Sequence, residues 1–394
     1  MNASANAWAN AQASAQSHAE TRMEANAGSG TKSVTFPEPR AAVRAMKEYH
    51  PPLAGRDGLR LDFNENTLAC SPRVQQALAS ISAGHLTRYP ERGPLEALVA
   101  QSVGLQAERV LLTNGVDEAI HVLCGAFLDE NAELLLPVPT YTMYEVYASA
   151  AGATIRTVQA PREDFVFPFD AVLAAIGPHT RLIALANPNS PTGSALEREQ
   201  ILSIARRAPQ AIVLADEAYF HFHGQTVIDQ VGSVEYPNLV VARTFSKAYG
   251  LAGLRLGMLA AAPQVMQWLR RVISPYSVNT LALACLPPAL EDTAYLEWYV
   301  GEVKAARSEF FAVCEELGLR TWPSSANFVL CEIGAEHREF SLAMHAHGVL
   351  VRDRSNDPGC DGCVRITIGT REQMRAAHDA LRSVLASLKK ERLP

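Results

Sequence analysis

The stretch Thr244-Phe245-Ser246-Lys247-Ala248-Tyr249-Gly250-Leu251-Ala252-Gly253-Leu254-Arg255-Leu256-Gly257 sets a lysine among small and apolar residues. Lysine ordinarily keeps its head in water on a solvated face, and that is the plain alternative for Lys247. The neighbours of Lys247 offer no such face. Apolar surroundings disfavour an ammonium and favour the neutral amine, the form that attacks an aldehyde carbon. Ser246 and Arg255 bring a hydroxyl and a guanidinium to the same stretch, both suited to a phosphate.

Upstream, the apolar run 211–215 ends in Asp216-Glu217-Ala218-Tyr219. An aspartate at a strand end can simply cap a loop. Placed 31 residues before the lysine, it has a second reading. Pyridoxal 5′-phosphate needs a carboxylate that keeps its ring nitrogen protonated, because the protonated ring is the electron sink. Tyr219, three residues on, can hydrogen-bond the ring's phenolic oxygen. Further upstream, Val110-Leu111-Leu112-Thr113-Asn114-Gly115-Val116-Asp117-Glu118 reads as strand, glycine turn and helix start. Free N–H groups at a helix N-terminus bind a phosphate dianion. Asp117 is unfavourable beside that anion; we read it as the helix cap, with the backbone making the contact.

Working outward, short apolar runs at 110–112, 133–136, 182–186, 211–215 and 239–242 alternate with helical patterns such as 118–128 and 197–206. That alternation predicts an α/β fold with a mostly parallel sheet. Ligands of such sheets sit beyond the carboxyl ends of the strands, where the residues above fall. After residue 285 a helical region, 289–317, precedes short strands at 328–333, 349–352 and 364–368 and a last helix at 371–388. We therefore expect a disordered tail over 1–35 and an arm over 36–78 that packs with the small domain. A large cofactor-binding domain over 79–285 and a smaller α+β domain over 286–394 follow. The tail is rich in Ala, Asn, Ser and Gln, which cannot bury enough apolar surface to offset its ordering entropy.

Composition narrows the partners. The chain has 394 residues, 48% apolar and 19% charged, with formal net charge −6. That balance gives no reason to expect nucleic acid or an anionic membrane as a partner. No apolar run reaches the ~18–20 residues of a membrane span. Seven scattered cysteines form no disulfide framework and predict a reducing compartment, the cytoplasm. No basic segment with an apolar core opens the chain, so no secretory signal is expected.

Taken together, the ordered motifs resemble fold-type I pyridoxal-phosphate aminotransferases of class I/II, and within them the histidinol-phosphate aminotransferase family. The resemblance runs from about Tyr49 to the last helix. It rests on Leu61-Asp62-Phe63-Asn64-Glu65-Asn66, Arg88-Tyr89-Pro90-Glu91, Asn114–Glu118, Pro139-Thr140-Tyr141-Thr142-Met143-Tyr144 and Asn187-Pro188-Asn189-Ser190-Pro191-Thr192-Gly193. Asp216–Tyr219, Thr244–Gly257, Ala326-Asn327-Phe328 and Val364–Thr370 complete it. The resemblance implies the roles that follow. Lys247 carries the cofactor and shuttles the substrate proton. Tyr141 stacks on the pyridine ring, Asp216 pairs with its nitrogen and Tyr219 with its hydroxyl. Val116, Asp117, Thr244, Ser246 and Arg255 surround the phosphate. Tyr89 reaches the partner subunit's cofactor, so a homodimer with shared active sites is expected. Arg365 binds the donor's carboxylate, Arg352 the substrate's phosphate, and Tyr49 and Asn327 line the pocket. The implied reaction is amino transfer from L-histidinol phosphate to 2-oxoglutarate, in histidine biosynthesis. The alternatives on the same scaffold are an aromatic amino acid aminotransferase or a decarboxylase of a phosphorylated amino acid.

Two departures from the family pattern stand out. Ser190 occupies the place of an asparagine that bonds the ring hydroxyl. A serine is shorter and reaches through water; otherwise Asn187 or Asn189 substitutes, or Tyr219 acts alone. Thr67, Ala69 and Cys70 replace Pro, Gly and Pro near the substrate entrance. Other constellations read plainly. Cys360-Asp361-Gly362-Cys363 has no second pair, and a turn before a strand accounts for it. His221 and His223 alternate as in an extended segment, without a carboxylate at metal-site spacing, and no metal is expected.

Overall fold

The structure is a computed structural model and describes residues 36–48, 50, 53 and 55–391. The expectations placed on the tail, 1–35, and on Tyr49 lie outside the described residues. Packing divides the chain into two units that meet between Arg44 and Ala45. The described part of the first holds one helical turn, Ala41–Arg44. Everything below concerns the second.

Its centre is a seven-stranded sheet. With β1 at Leu59–Arg60, the sheet comprises β2 (Val110–Thr113), β3 (Glu133–Val138), β4 (Thr154–Gln159), β5 (Thr180–Ala186), β6 (Ile212–Asp216), β7 (Leu239–Thr244) and β8 (Gly257–Ala260). The order is β2-β8-β7-β6-β5-β3-β4, parallel except that β8 runs against both neighbours. Strands covered on both faces read as near-continuous apolar runs. Leu111, Leu134, Leu214 and Val240 pack on one face, and Val110, Leu135, Val213 and Val241 on the other. The sequence reading missed two members. β4 is an edge strand whose Thr, Arg and Gln side chains are mostly exposed, so it lacks an apolar signature. β8 is only Gly-Met-Leu-Ala and lies inside the longest apolar stretch, which blurs its ends.

A second core gathers around the antiparallel sheet β11-β12-β9, with β9 at Phe328–Glu332, β11 at Arg352–Asp353 and β12 at Cys363–Thr367. Residues 349–352 do not form one strand. Val349–Leu350 (β10) pairs in parallel with β1, and only Arg352–Asp353 pairs with β12. The helical region 289–317 is likewise two helices, Thr280–Glu291 and Thr293–Glu316. They break at Asp292, whose Oδ1 accepts from Tyr295 N at 3.3 Å. A side-chain cap of this kind satisfies an N–H that the new helix leaves orphaned. Leu61 belongs to the second core, whereas helix Pro72–Ala79 sends Val74 into the first.

His221 and His223 are not extended. They sit in a helical turn, Phe220–His223, closed by Gly224 in the left-handed region. Cys360 and Cys363 span a turn in which Cys363 N donates to Cys360 O at 2.8 Å, and both side chains are buried. Among the described residues no group of three or more His, Cys, Asp or Glu side chains is placed to hold a metal ion. None of the described helices is long and apolar enough to cross a membrane.

Candidate active site

The carboxyl ends of β2, β5, β6 and β7 deliver Gly115, Ser190, Asp216 and Lys247 to one edge of the sheet. At the first of these, helix α1 (Gly115–Phe127) begins directly after β2. Gly115 has φ +75°, and a Cβ there would lie 2.5 Å from Arg255 Nη2. Only glycine lets that guanidinium rest over the helix start. The first N–H groups of α1, including those of Val116 and Asp117, have no partner within the helix.

Asp117 is not the cap expected of it. Glu118 Oε2 accepts from Asn114 N at 2.6 Å, while Asp117 pairs with Arg255 Nη2 at 2.8 Å and accepts from Tyr141 Oη at 2.7 Å. It tethers two residues that the sequence assigned to the cofactor. Thr244 Oγ1 accepts from Ser246 N at 3.0 Å, so the strand end bends into the loop that carries Lys247.

Asp216 is buried and accepts two hydrogen bonds, from Tyr144 Oη at 2.6 Å and from Ala218 N at 3.0 Å. Burial pushes its carboxyl up to about 6, against the pull of those two donors. Tyr144 carried no assignment from the sequence. It lies three residues after Tyr141 and packs edge-on to it at 5.8 Å. A buried tyrosine must place its hydroxyl on a partner, which was the available signal.

Tyr219 Oη accepts from Asn64 Nδ2 at 2.9 Å, which leaves its own hydrogen free to donate. Asn64 is in the left-handed region, φ +54°, and its Oδ1 accepts from Thr367 Oγ1 at 3.1 Å. Asparagine is among the few non-glycine residues that tolerate this conformation. Lys247 is half-buried, less enclosed than the sequence suggested; its Nζ donates to Phe63 O at 3.0 Å and lies 5.9 Å from the Tyr219 ring centroid.

Neither Asn187 nor Asn189 can take over the role of the missing asparagine. Asn187 bonds both ways with Leu196, and Asn189 donates to Pro139 O and Thr192 Oγ1 while accepting from Thr140. Ser190 Oγ accepts from Arg365 Nη1 at 3.0 Å, which ties it to the arginine expected to bind the donor. Arg365 also donates to Asp62 O at 2.7 Å and stacks over Phe328 at 5.3 Å. Its Nε is buried without a hydrogen-bond partner. Burial, with Arg354 and Arg352 nearby, holds this guanidinium down to about 10.

Arg352 and Arg365 are directly opposed across the β11–β12 ladder. The carboxylates that flank Arg352 in sequence are engaged elsewhere, Asp353 with His337 and Asp357 with Arg354. Arg352 stacks over Phe63 at 5.0 Å. Asn327 is fully buried, donates to Asn64 O at 3.2 Å and keeps an unpartnered Oδ1. Tyr89 stands apart, 78% exposed and stacked on Tyr276 at 4.5 Å.

These groups fit pyridoxal 5′-phosphate. The glycine-opened helix start, Ser246 and Arg255 suit its phosphate, buried Asp216 its ring nitrogen, Tyr219 its hydroxyl and Lys247 its aldehyde. On this sheet they define the class, a fold-type I enzyme that depends on pyridoxal phosphate. The aminotransferase class I and II family model matches residues 56–381, and the chain belongs to that family. A histidinol-phosphate aminotransferase from Geobacillus sp. is 34% identical over 84% of this chain and 90% of its own. One from Moorella thermoacetica is 33% identical over 89% and 94%. The structure of the Sinorhizobium meliloti histidinol-phosphate aminotransferase in complex with pyridoxal-5′-phosphate shares the fold, with TM-score 0.80 and 24% identity. That match covers 90% of this chain and 99% of that one.

Proposed function

We propose that this aminotransferase takes the amino group of L-histidinol phosphate and delivers it to 2-oxoglutarate, in histidine biosynthesis. The observation that carries the reading is the pair Arg352 and Arg365, opposed on adjacent strands. Histidinol phosphate has no α-carboxylate, and its phosphate can take that place. A dianion rewards two guanidinium groups more than one. Glutamate presents two carboxylates, so the same pair serves both half-reactions.

The cofactor, when bound, supplies the electron sink that stabilises negative charge at the substrate's α-carbon. The chain's own groups do the rest. Lys247 Nζ takes the proton from that carbon, and Phe63 O, which receives its hydrogen bond at 3.0 Å, orients the amine. Asp216 keeps a carboxylate at the floor of the site, oriented by Tyr144 and Ala218. Tyr219 donates its hydroxyl hydrogen, because Asn64 already occupies its oxygen. Asn327 Oδ1 offers a buried acceptor to the substrate.

Arg352→Ala tests the substrate. Losing a charged hydrogen bond costs roughly 1.5–3 kcal/mol, about 10- to 150-fold in kcat/KM. We expect that loss with histidinol phosphate and a smaller one with phenylalanine or tyrosine. Higher wild-type efficiency with the aromatic donors, and an equal loss on all three, would leave an aromatic aminotransferase.

The active protein is further proposed to be a cytoplasmic homodimer, with Tyr89 reaching the partner's cofactor. The exposure of Tyr89 and its stack on Tyr276 support that reading, and the seven free cysteines suit a reducing compartment. The division into arm, large domain and C-terminal domain is proposed with it. Mixing Tyr89→Phe with Lys247→Ala should form heterodimers with one site free of either lesion. Activity above that of Tyr89→Phe alone is expected once subunits exchange. Exchange without recovery would place Tyr89 in its own subunit's site.

A further inference from the structure

Two guanidinium groups stack over one ring. Arg56 Cζ lies 4.5 Å and Arg352 Cζ 5.0 Å from the centroid of Phe63. Two like charges gathered on one aromatic residue repel unless one is neutralised. Arg56 is neutralised with an excess. Its Nε and Nη2 donate to the two carboxylate oxygens of Asp62 at 2.9 and 2.7 Å, and Nη2 also donates to Glu65 Oε2 at 2.8 Å. The three side chains together carry a formal charge of −1. Arg352 therefore shares the ring with a guanidinium whose charge is already neutralised, and the ring's quadrupole attracts it.

Arg365 is held differently. Ser190 Oγ, Asp62 O and the Phe328 ring anchor it, none of them through Phe63. Of the two opposed arginines, only Arg352 stacks on the Phe63 ring; Arg365 stacks on Phe328. A monoanionic substrate group is served by one anchored guanidinium, whereas a phosphate dianion gains from the second.

We propose that Phe63 is a positioning residue that sets the preference for donors ending in a phosphate dianion, by holding Arg352 beside Arg365. The inference rests on the role given to Arg352 above. It concerns the ring of Phe63 and is separate from its carbonyl, which meets Lys247. Leucine keeps comparable bulk but has no quadrupole.

The experiment compares wild type, Phe63→Leu and Phe63→Tyr as holoenzymes. It reads the ratio of kcat/KM for histidinol phosphate to that for phenylalanine. It also reads the inhibition constant of inorganic phosphate against glutamate. Phe63→Leu should lower the ratio about three- to tenfold, and raise the phosphate inhibition constant by a similar factor. Phe63→Tyr, which keeps the ring, should restore both. An unchanged ratio with unchanged phosphate inhibition overturns the proposal. So does an equal loss on both donors that Tyr fails to rescue, since that marks a role through the backbone at Lys247. If wild type does not turn over histidinol phosphate, the substrate reading fails, and the phosphate arm still decides the role of Phe63.

Discussion

Lys247→Ala should lower turnover by at least about 10⁴-fold, the upper end of what one positioned acid–base group contributes. The same amine serves as nucleophile toward the cofactor's aldehyde and as base toward the substrate, so one change removes both. The fold should survive it. Lys247 is half-buried, and the hydrogen bond of its Nζ goes to a backbone carbonyl, Phe63 O. The loop around it is held by others: Ser246 N donates to Thr244 Oγ1, Gly250 N to Lys247 O, and Asn66 Nδ2 to Ala248 O at 3.2 Å. The check is borohydride reduction followed by peptide mapping. Wild type should yield a pyridoxyl group on Lys247, and the variant none. A pyridoxyl group on a different lysine would contradict the central assignment.

Asp216→Asn should still attach the cofactor to Lys247 yet lose about 10²- to 10³-fold in kcat, the scale of a lost preorganised electrostatic contact. An amide cannot hold a protonated ring nitrogen as a carboxylate does. Geometry favours a folded variant, because the Tyr144 hydroxyl that now donates at 2.6 Å can turn and accept from the amide. A second readout concerns the cofactor-free protein. There the carboxyl of Asp216 takes up its proton as pH falls through about 6, whereas an unfolded aspartate waits until about 4. The raised value means that the buried charge lowers stability above pH 6, and that this cost fades as pH falls toward 4. Asp216→Asn should therefore raise the melting temperature of the cofactor-free protein at pH 7 more than at pH 4.5. Near-normal kcat in the variant would remove Asp216 from its role, and a pH-independent stability change would show that its carboxyl is not raised by burial.

The β–α alternation and the residues proposed to hold the cofactor were legible because they are local. A strand covered on both faces reads as a near-continuous apolar run, and the residues that meet a ligand follow it within a few positions. Lys247, Asp216, Thr244 and Ser246 all lie within a few residues of a strand end in this way. The same logic failed at β4, whose edge position leaves it polar, and at 349–352, where the chain leaves one sheet and enters another within a single residue. Nothing in the periodicity of four residues distinguishes those two cases.

Residues 61–66 mark the boundary more sharply. As a string they were a family motif without a physical role. In the folded chain Asp62 anchors Arg56 and, through its carbonyl, Arg365; Phe63 carries Arg352 on its ring and Lys247 on its carbonyl; Asn64 orients Tyr219. Those partners lie up to 303 residues away, and no spacing rule reaches that far. Asp117 and Ser190 show the converse. The fold places both at the strand ends where the sequence put them, but their hydrogen-bond partners were not foreseen, because a carboxylate or hydroxyl bonds whichever donor the fold brings within about 3 Å. Residue type and local order set which groups stand at the mouth of the sheet. Which group each one holds was settled by the meeting of distant segments, since hydrogen bonds and ion pairs act only at contact.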